Sequence, residues 1–324
     1  EGADKIELVM VLGWQCVAEK GLFKEGDLCV YFEIDAFLPM VDAFSFLKKS
    51  SYKKSEFMGE GYRLKTQRFL GNISQGLLQP LSILPDGDYK EGDDVTELLG
   101  VKKWEEPERL SSSVTIIGQV PYGITKTGEL RIQSYPELIS EFKEAGPYYI
   151  STKCDGTSVT VYRKEGSFGV CGHNYEYADD GKCSIWNLFH ETNLERKMKE
   201  KGYDNLAIQG EYCGEGIQKN RLKLRKPAWF VFTIIDLTNG RRLGLKKMEE
   251  ICNDLNLTMV PVEEEKDAFP YDTVEDLLLR AKGKYVSGCN KEGIVIRPVE
   301  PVFSKTIGGP LSMKVLNNDY LLKA

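Results

Sequence analysis

The chain has 324 residues, 41% hydrophobic and 28% charged, an ordinary globular composition at a length that favours two domains over one. No apolar run approaches membrane-spanning length, no N-terminal segment reads as a signal peptide, and no membrane partner is expected. The net charge of −6 excludes a protein that coats nucleic acid indiscriminately. Residues 1–112 hold 14 Lys and Arg against 20 Asp and Glu, whereas residues 113–324 hold 29 of each, so a local basic groove is still possible in the second part.

The first hundred residues read as short β segments. Residues 27–34 and 76–81 have strand character, and Glu25-Gly26-Asp27 and Glu91-Gly92-Asp93 are turns. Many short strands with glycine turns predict a small β-barrel over residues 1–105. Residues 106–125 read as a linker, with Pro107, Ser111-Ser112-Ser113, Pro121 and Gly123. From residue 126 to 324 the pattern changes to α+β, with antiparallel sheets and flanking helices. Helices are expected over 136–145, with Pro136 in the first turn, and over 184–202, where Ile185, Leu188, Phe189, Leu194 and Met198 recur at helical spacing. Strands are expected over 148–152, 157–162, 229–236 and 293–297. Residues 219–226 alternate cations with apolar residues, as a strand with one basic face would.

Eight cysteines are present without a Cys-x-x-Cys pair, beside only two histidines, His173 and His190. That argues against a zinc site and for buried free thiols in a reducing compartment. An intracellular location, cytoplasm or nucleus, is the corresponding expectation.

Lys153-Cys154-Asp155-Gly156 joins two apolar strands. Taken alone it is a hairpin turn. However, a lysine held in a partly apolar cleft can lose its proton near neutral pH and become a nucleophile. Asp155 falls on the same side of an extended chain, and Gly156 permits close backbone approach. Downstream come Gly172-His173-Asn174, Gly210-Glu211-Tyr212-Cys213-Gly214, the aromatic strand Trp229-Phe230-Val231-Phe232, Glu292-Gly293 leading an apolar strand, and Ser312-Met313-Lys314-Val315. Each is unremarkable singly. Together they supply a nucleophile, carboxylates for a divalent metal, a second cation for a phosphate and an aromatic face for a base.

In this order the segments resemble the motifs of the covalent nucleotidyltransferases, the polynucleotide ligases and messenger-RNA capping enzymes. Lys153-Cys154-Asp155-Gly156 looks like their first motif. Gly172-His173-Asn174 looks like the next, with His173 where many members carry Arg. Glu211 and Glu292 match the third and fourth motifs. Phe232 matches the base-stacking aromatic, with Phe230 as the fallback, and Lys314 matches the last motif, where only one of the usual two lysines is present. Gly13-Trp14-Gln15-Cys16-Val17, residues 26–35, Ser74-Gln75-Gly76-Leu77 and Leu130-Arg131-Ile132-Gln133-Ser134 extend the resemblance over nearly the whole chain. They are similar to the ATP-dependent RNA ligases typified by the Deinococcus and Naegleria enzymes.

The resemblance implies an N-terminal OB-like barrel followed by an adenylyltransferase domain. It further implies attack of Lys153 on ATP, transfer of AMP to an RNA 5′-phosphate, and sealing by a 3′-hydroxyl, in the manner of RNA repair. Catalytic roles fall on Lys153, Asp155 and Lys314, and metal binding (manganese or magnesium) on Asp155, Glu211 and Glu292. Nucleotide contacts fall on Arg131, Thr152, Asn174, Glu211, Phe232, Glu292 and Lys314. The metal-rich, cationic pocket should depress the pKa of Lys153. Lys65 and Arg68 in the barrel, and Arg221, Lys223 and Arg225 beyond it, are the candidate RNA contacts. The expected partner is RNA, a nicked duplex with 3′-hydroxyl and 5′-phosphate ends, bound by a monomer. A DNA ligase, a guanylyltransferase and a non-catalytic nucleic-acid-binding protein are the competing readings.

Overall fold

The computed structural model describes residues 4–105 and 114–322. The chain divides into two compact units, residues 1–109 with 321–324 and residues 110–320.

In the first unit, alternation sets the strands. Trp14, Cys16 and Ala18 of the Trp14–Glu19 strand are buried, and the residues between them face outward. This strand pairs antiparallel with Ile6–Val11, and Cys29–Phe32 pairs with Leu77–Pro80. Lys102–Lys103, Ala36–Leu38, Gly59–Arg63 and Tyr52–Ser55 form a further antiparallel sheet. Val30, Phe32, Leu38, Phe44, Tyr62 and Leu64 fill the core. The result is the expected small OB-like barrel, with strands shorter than the apolar runs that announce them.

The second unit contains two main sheets. The larger runs Ile116–Gln119, Tyr175–Tyr177, Ser167–Cys171, Thr157–Lys164, Leu206–Cys213, Ala228–Asp236 and Arg241–Arg242, all antiparallel, with Thr258–Met259 parallel beside Ala228–Asp236. The smaller runs Val262–Lys266, Tyr148–Lys153, Gly293–Pro298 and Met313–Leu316. Helices Ser184–Glu191, Leu194–Glu200 and Leu245–Leu255 bury Trp186, Phe189, Met198 and Ile251 against the larger sheet. Leu138–Ala145 and Val274–Ala281 bury Phe142 and Leu277 against the smaller. Residues from both sheets wall one cleft.

Three expectations need correction. Residues 106–113 of the expected linker lie outside the described residues, but its second half belongs to the second unit. Ile116–Gln119 is a sheet strand, Ile124 is buried, and the Gln209 amide donates to the Thr125 carbonyl at 2.7 Å. The expected helix over 184–202 is two helices. Thr192 Oγ1 donates to the Leu188 carbonyl at 2.9 Å, and Asn193 adopts a left-handed φ of 53°, which asparagine tolerates. The segment 219–226 is a succession of turns, with no single basic face. Asn220 bonds the Leu224 amide and carbonyl through its side chain, and Asn220 and Lys223 have φ of 41° and 53°. These local bonds replace the sheet ladder that the alternation predicts.

Gly156 of the first motif packs directly against the Leu206–Cys213 strand. A Cβ there would lie 2.4 Å from the Tyr212 carbonyl oxygen and 2.6 Å from Cys213 Sγ. Gly156→Ala must therefore displace backbone, and it is expected to lower the thermal midpoint of the second unit by roughly 3–10 °C. An unchanged midpoint in differential scanning calorimetry contradicts that packing.

Candidate active site

Lys153 ends the Tyr148–Lys153 strand opposite Gly293. Glu292, which leads the Gly293–Pro298 strand, therefore arrives beside it. Lys153 Nζ lies 2.9 Å from Glu292 Oε1, with the two side chains 24% and 16% exposed. The amine thus faces the cleft, away from bulk water. One strand further, Lys314 pairs in register with Val295, its amide donates to the Leu130 carbonyl at 2.8 Å, and Arg131 bridges it. Gly293 permits this approach, since a Cβ there would stand 2.1 Å from the Val315 carbonyl oxygen. Across the cleft, Glu211 and Phe232 come from neighbouring strands of the larger sheet.

The cavity, a half-open cleft of about 230 Å³, is lined on one side by Ser151, Thr152, Lys153, Val295, Arg297 and Lys314. Ser158, Glu211, Phe232 and Val260 line the other, and Thr127, Gly128 and Glu129 close it. Both Phe230 and Phe232 pack against Cys154, Cys213 and Val260, and of the two Phe232 is the one that lines the cavity. All eight cysteines are free thiols, six of them buried.

The electrostatics reverse one expectation. Burial alone pushes the Lys153 amine down. Attraction from Glu292, then Glu211 and Asp155, outweighs it, and the ammonium is held well above the ordinary lysine range. Lys314 is the depressed lysine. Burial first, then repulsion from Lys153 and Arg131, brings it to about 8. Burial pushes Glu211 up to about 7, with Lys153 opposing and Glu292 and Asp155 adding to the rise.

The remaining expected residues are placed unequally. Both Asp155 oxygens are engaged, one by Arg221 Nε at 3.2 Å and one by the Tyr320 hydroxyl at 3.1 Å, and the Arg221 guanidinium lies 4.2 Å over the Tyr320 ring. Arg221 is thus a partner of Asp155 rather than part of an outward basic face. Thr152 lines the cavity, but its hydroxyl donates to Glu263 at 2.7 Å. Asn174 stands outside the cavity wall and accepts from Lys126 Nζ at 3.0 Å. His173 Nδ1 is 3.2 Å from the Thr127 hydroxyl. Lys65, Arg68, Lys223 and Arg225 are exposed. Among the described residues no three His, Cys, Asp or Glu side chains converge closely enough to enclose an ion by themselves.

Sequence reasoning missed Arg297 and Glu129. Arg297 lies buried against the cavity, its Nη2 2.5 Å from Glu129 Oε1, its Nε donating to Ser312 Oγ at 3.2 Å and its Nη1 donating to the Phe232 carbonyl. Arg242 approaches the same Glu129 oxygen at 3.5 Å. Despite burial, Arg297 and Arg242 hold the Glu129 carboxyl below its usual range. The available signal was a charge at the end of the Ile294-Val295-Ile296 run. Ile294 and Ile296 enter the core, so Val295 and Arg297 must face the cleft.

A carboxyl whose pKa is raised on folding retains a proton that the unfolded chain has released. Glu211 therefore makes the metal-free protein less stable as pH rises from the ordinary carboxyl range towards about 7. Glu211→Gln should flatten that decline in thermal midpoints measured in chelator between about pH 5 and about pH 7.5. A slope equal to the wild type contradicts the assignment.

A family model described as RNA ligase matches residues 146–316, and one described as OB-fold domain matches residues 1–81. No curated protein sequence matches the chain. Among solved structures the chain is similar to the RNA ligase of Naegleria gruberi. An apo mutant of that enzyme aligns at 34% identity and TM-score 0.88, covering 99% of this chain and 93% of that one. A mutant with ATP and Mn aligns at 33% and 0.89, covering 100% and 95%. The enzyme with PPi aligns at 34% and 0.86, covering 99% and 94%. With the family model spanning more than half of its length and these structures nearly all of it, the chain belongs to the RNA ligase family.

Proposed function

We propose that this protein is an ATP-dependent ligase that joins a 3′-hydroxyl to a 5′-phosphate in RNA through a lysyl-AMP and an AMP-capped 5′ end. The observation that carries this reading is the Lys153 amine, 2.9 Å from Glu292 and directed into a cleft that Phe232 and Lys314 also line. The Naegleria structures with ATP and Mn and with AMP and Mn support it.

In this reading the Phe232 ring offers a stacking face for adenine. Lys314 meets the α-phosphate, whose negative charge favours its protonated form. Lys153, once deprotonated, attacks the α-phosphorus. The nitrogen–phosphorus bond forms, the bond to the bridging oxygen breaks, and pyrophosphate leaves with the electron pair. The 5′-phosphate of RNA then displaces Lys153 from the AMP, and a 3′-hydroxyl displaces AMP from the capped end.

The residues also fit a divalent cation. Burial raises Glu211 to about 7, with Lys153 opposing and Glu292 and Asp155 adding to the rise, and hard oxygen donors such as these carboxylates suit magnesium and manganese. Glu211 and Glu292 would hold it, and among the described residues no three His, Cys, Asp or Glu side chains enclose an ion. When bound, such an ion supplies the positive charge that offsets the carboxylates around Lys153. Asp155 acts from its place between Arg221 and Tyr320. The exposed Lys65, Arg68, Lys223 and Arg225 are available to a phosphate backbone. We take the partner to be a nicked RNA duplex and the acting species a monomer.

Incubation with α-labelled ATP and manganese should label the chain, and Lys153→Ala should abolish the label. Label with GTP instead points to a guanylyltransferase, and sealing only of deoxyribose 3′ ends points to a DNA ligase. Binding of RNA without any label supports the non-catalytic reading. Phe232→Ala should raise the KM for ATP about tenfold with a smaller change in kcat. An unchanged KM removes Phe232 from the nucleotide site.

A further inference from the structure

Tyr285 lies outside the motifs, in a short hairpin closed by a bridge between Lys284 and Asn290. Its hydroxyl donates to the Lys153 carbonyl at 2.6 Å and accepts from the Glu292 amide at 3.0 Å. One oxygen atom therefore joins the backbones of the two residues whose side chains form the 2.9 Å ion pair. The hairpin is itself anchored. The Tyr285 amide donates to Cys289 at 2.9 Å, the Lys291 amide donates to Gly283 at 3.0 Å, and Ser287 Oγ donates to the Arg221 carbonyl at 2.5 Å.

Sheet pairing alone leaves this spacing loose. Lys153 is the last residue of its strand, and Glu292 precedes the first residue of the next. The ladder ends at the pair Lys153 and Gly293, so the register one step beyond is not fixed by a strand–strand bond. The Tyr285 hydroxyl occupies that position.

We infer that Tyr285 is a positioning residue for lysine adenylylation, holding the Lys153 and Glu292 backbones at the separation that aims the amine into the cavity. This rests on the reading of Lys153 as the nucleophile. Tyr285 is not one of the residues lining the cavity, and it reaches Lys153 through the backbone carbonyl alone. Its loss therefore slows the chemical step without weakening nucleotide binding. Misplacement of a reacting group by a fraction of an ångström to one ångström is enough for a large rate loss, and two partly buried backbone groups lose their partner together.

The test is single-turnover formation of the labelled lysyl-AMP by the full chain with ATP and manganese, over a range of ATP concentrations. Tyr285→Phe keeps the ring and removes only the oxygen. It is expected to lower the limiting rate roughly 10- to 100-fold, with the ATP concentration for half-maximal rate within about twofold of wild type. Ser287→Ala removes one side-chain anchor of the hairpin but leaves its two backbone anchors and the Tyr285 hydroxyl bonds in place, and it should stay within about threefold of wild type in rate. The inference is overturned if Tyr285→Phe reacts at the wild-type rate, if its loss lies in the ATP dependence, or if Ser287→Ala slows the reaction equally. Absence of label from the wild type itself would sink the ligase reading instead, so the two failures are distinguishable.

Discussion

The ion pair between Lys153 and Glu292 organises the cleft. It closes across two neighbouring strands of the smaller sheet, at the edge where the larger sheet brings in Glu211. A buried ion pair adds little to stability, because desolvating both charges offsets most of their attraction. Its value here is geometric and electrostatic. It fixes where the amine points, and it holds the Lys153 ammonium charged while Lys314 is brought down to about 8. Lys153 is held charged by three carboxylates, and Lys314, close to Lys153 and Arg131, is pushed towards neutrality. In the proposed mechanism, keeping Lys153 protonated until countercharge enters the site prevents its reaction with the wrong electrophile in the resting protein.

Around that pair the fold ties the functional segments together through buried polar contacts. Arg297 touches the strand of Phe232, the turn of Ser312 and the segment of Glu129 at once. Arg221 and Tyr320 fix Asp155 from two directions. Glu263 receives Thr152 and Lys291, the residues adjoining Lys153 and Glu292. Each contact joins segments distant in sequence, so the site is set by the relation between the two sheets and by no single loop. Glycines at 156 and 293 supply the close approaches that such a relation requires.

Much of this was legible in the sequence. The order of Lys153, Glu211, Phe232, Glu292 and Lys314, each on or beside an apolar strand, is enough to bring them to one site. Phe230 and Phe232 share one strand face, so alternation sets both apart from the core-facing Trp229 and Val231 but does not choose between them, and only the folded cleft singles out Phe232. The illegible part has a common cause. The charge state of Lys153 depends on carboxylates 58 and 139 residues away in sequence, Glu211 and Glu292, and residue type alone argued for burial and thus a lowered pKa. Arg221 looked like one cation of a basic strand because alternation does not reveal that Asn220 caps its own turn. Glu129 and Arg297 each looked like an ordinary charge until the fold brought them together.

The most direct test of the account is the titration of the Lys153 amine itself. Its reactivity towards a small amine-modifying reagent, followed by peptide mass spectrometry across pH in metal-free protein, reports that pKa. The account predicts a value above the ordinary lysine range in the wild type and a clear fall in Glu292→Gln. A Lys153 that titrates at or below the ordinary range in the wild type, and is indifferent to Glu292→Gln, would contradict it.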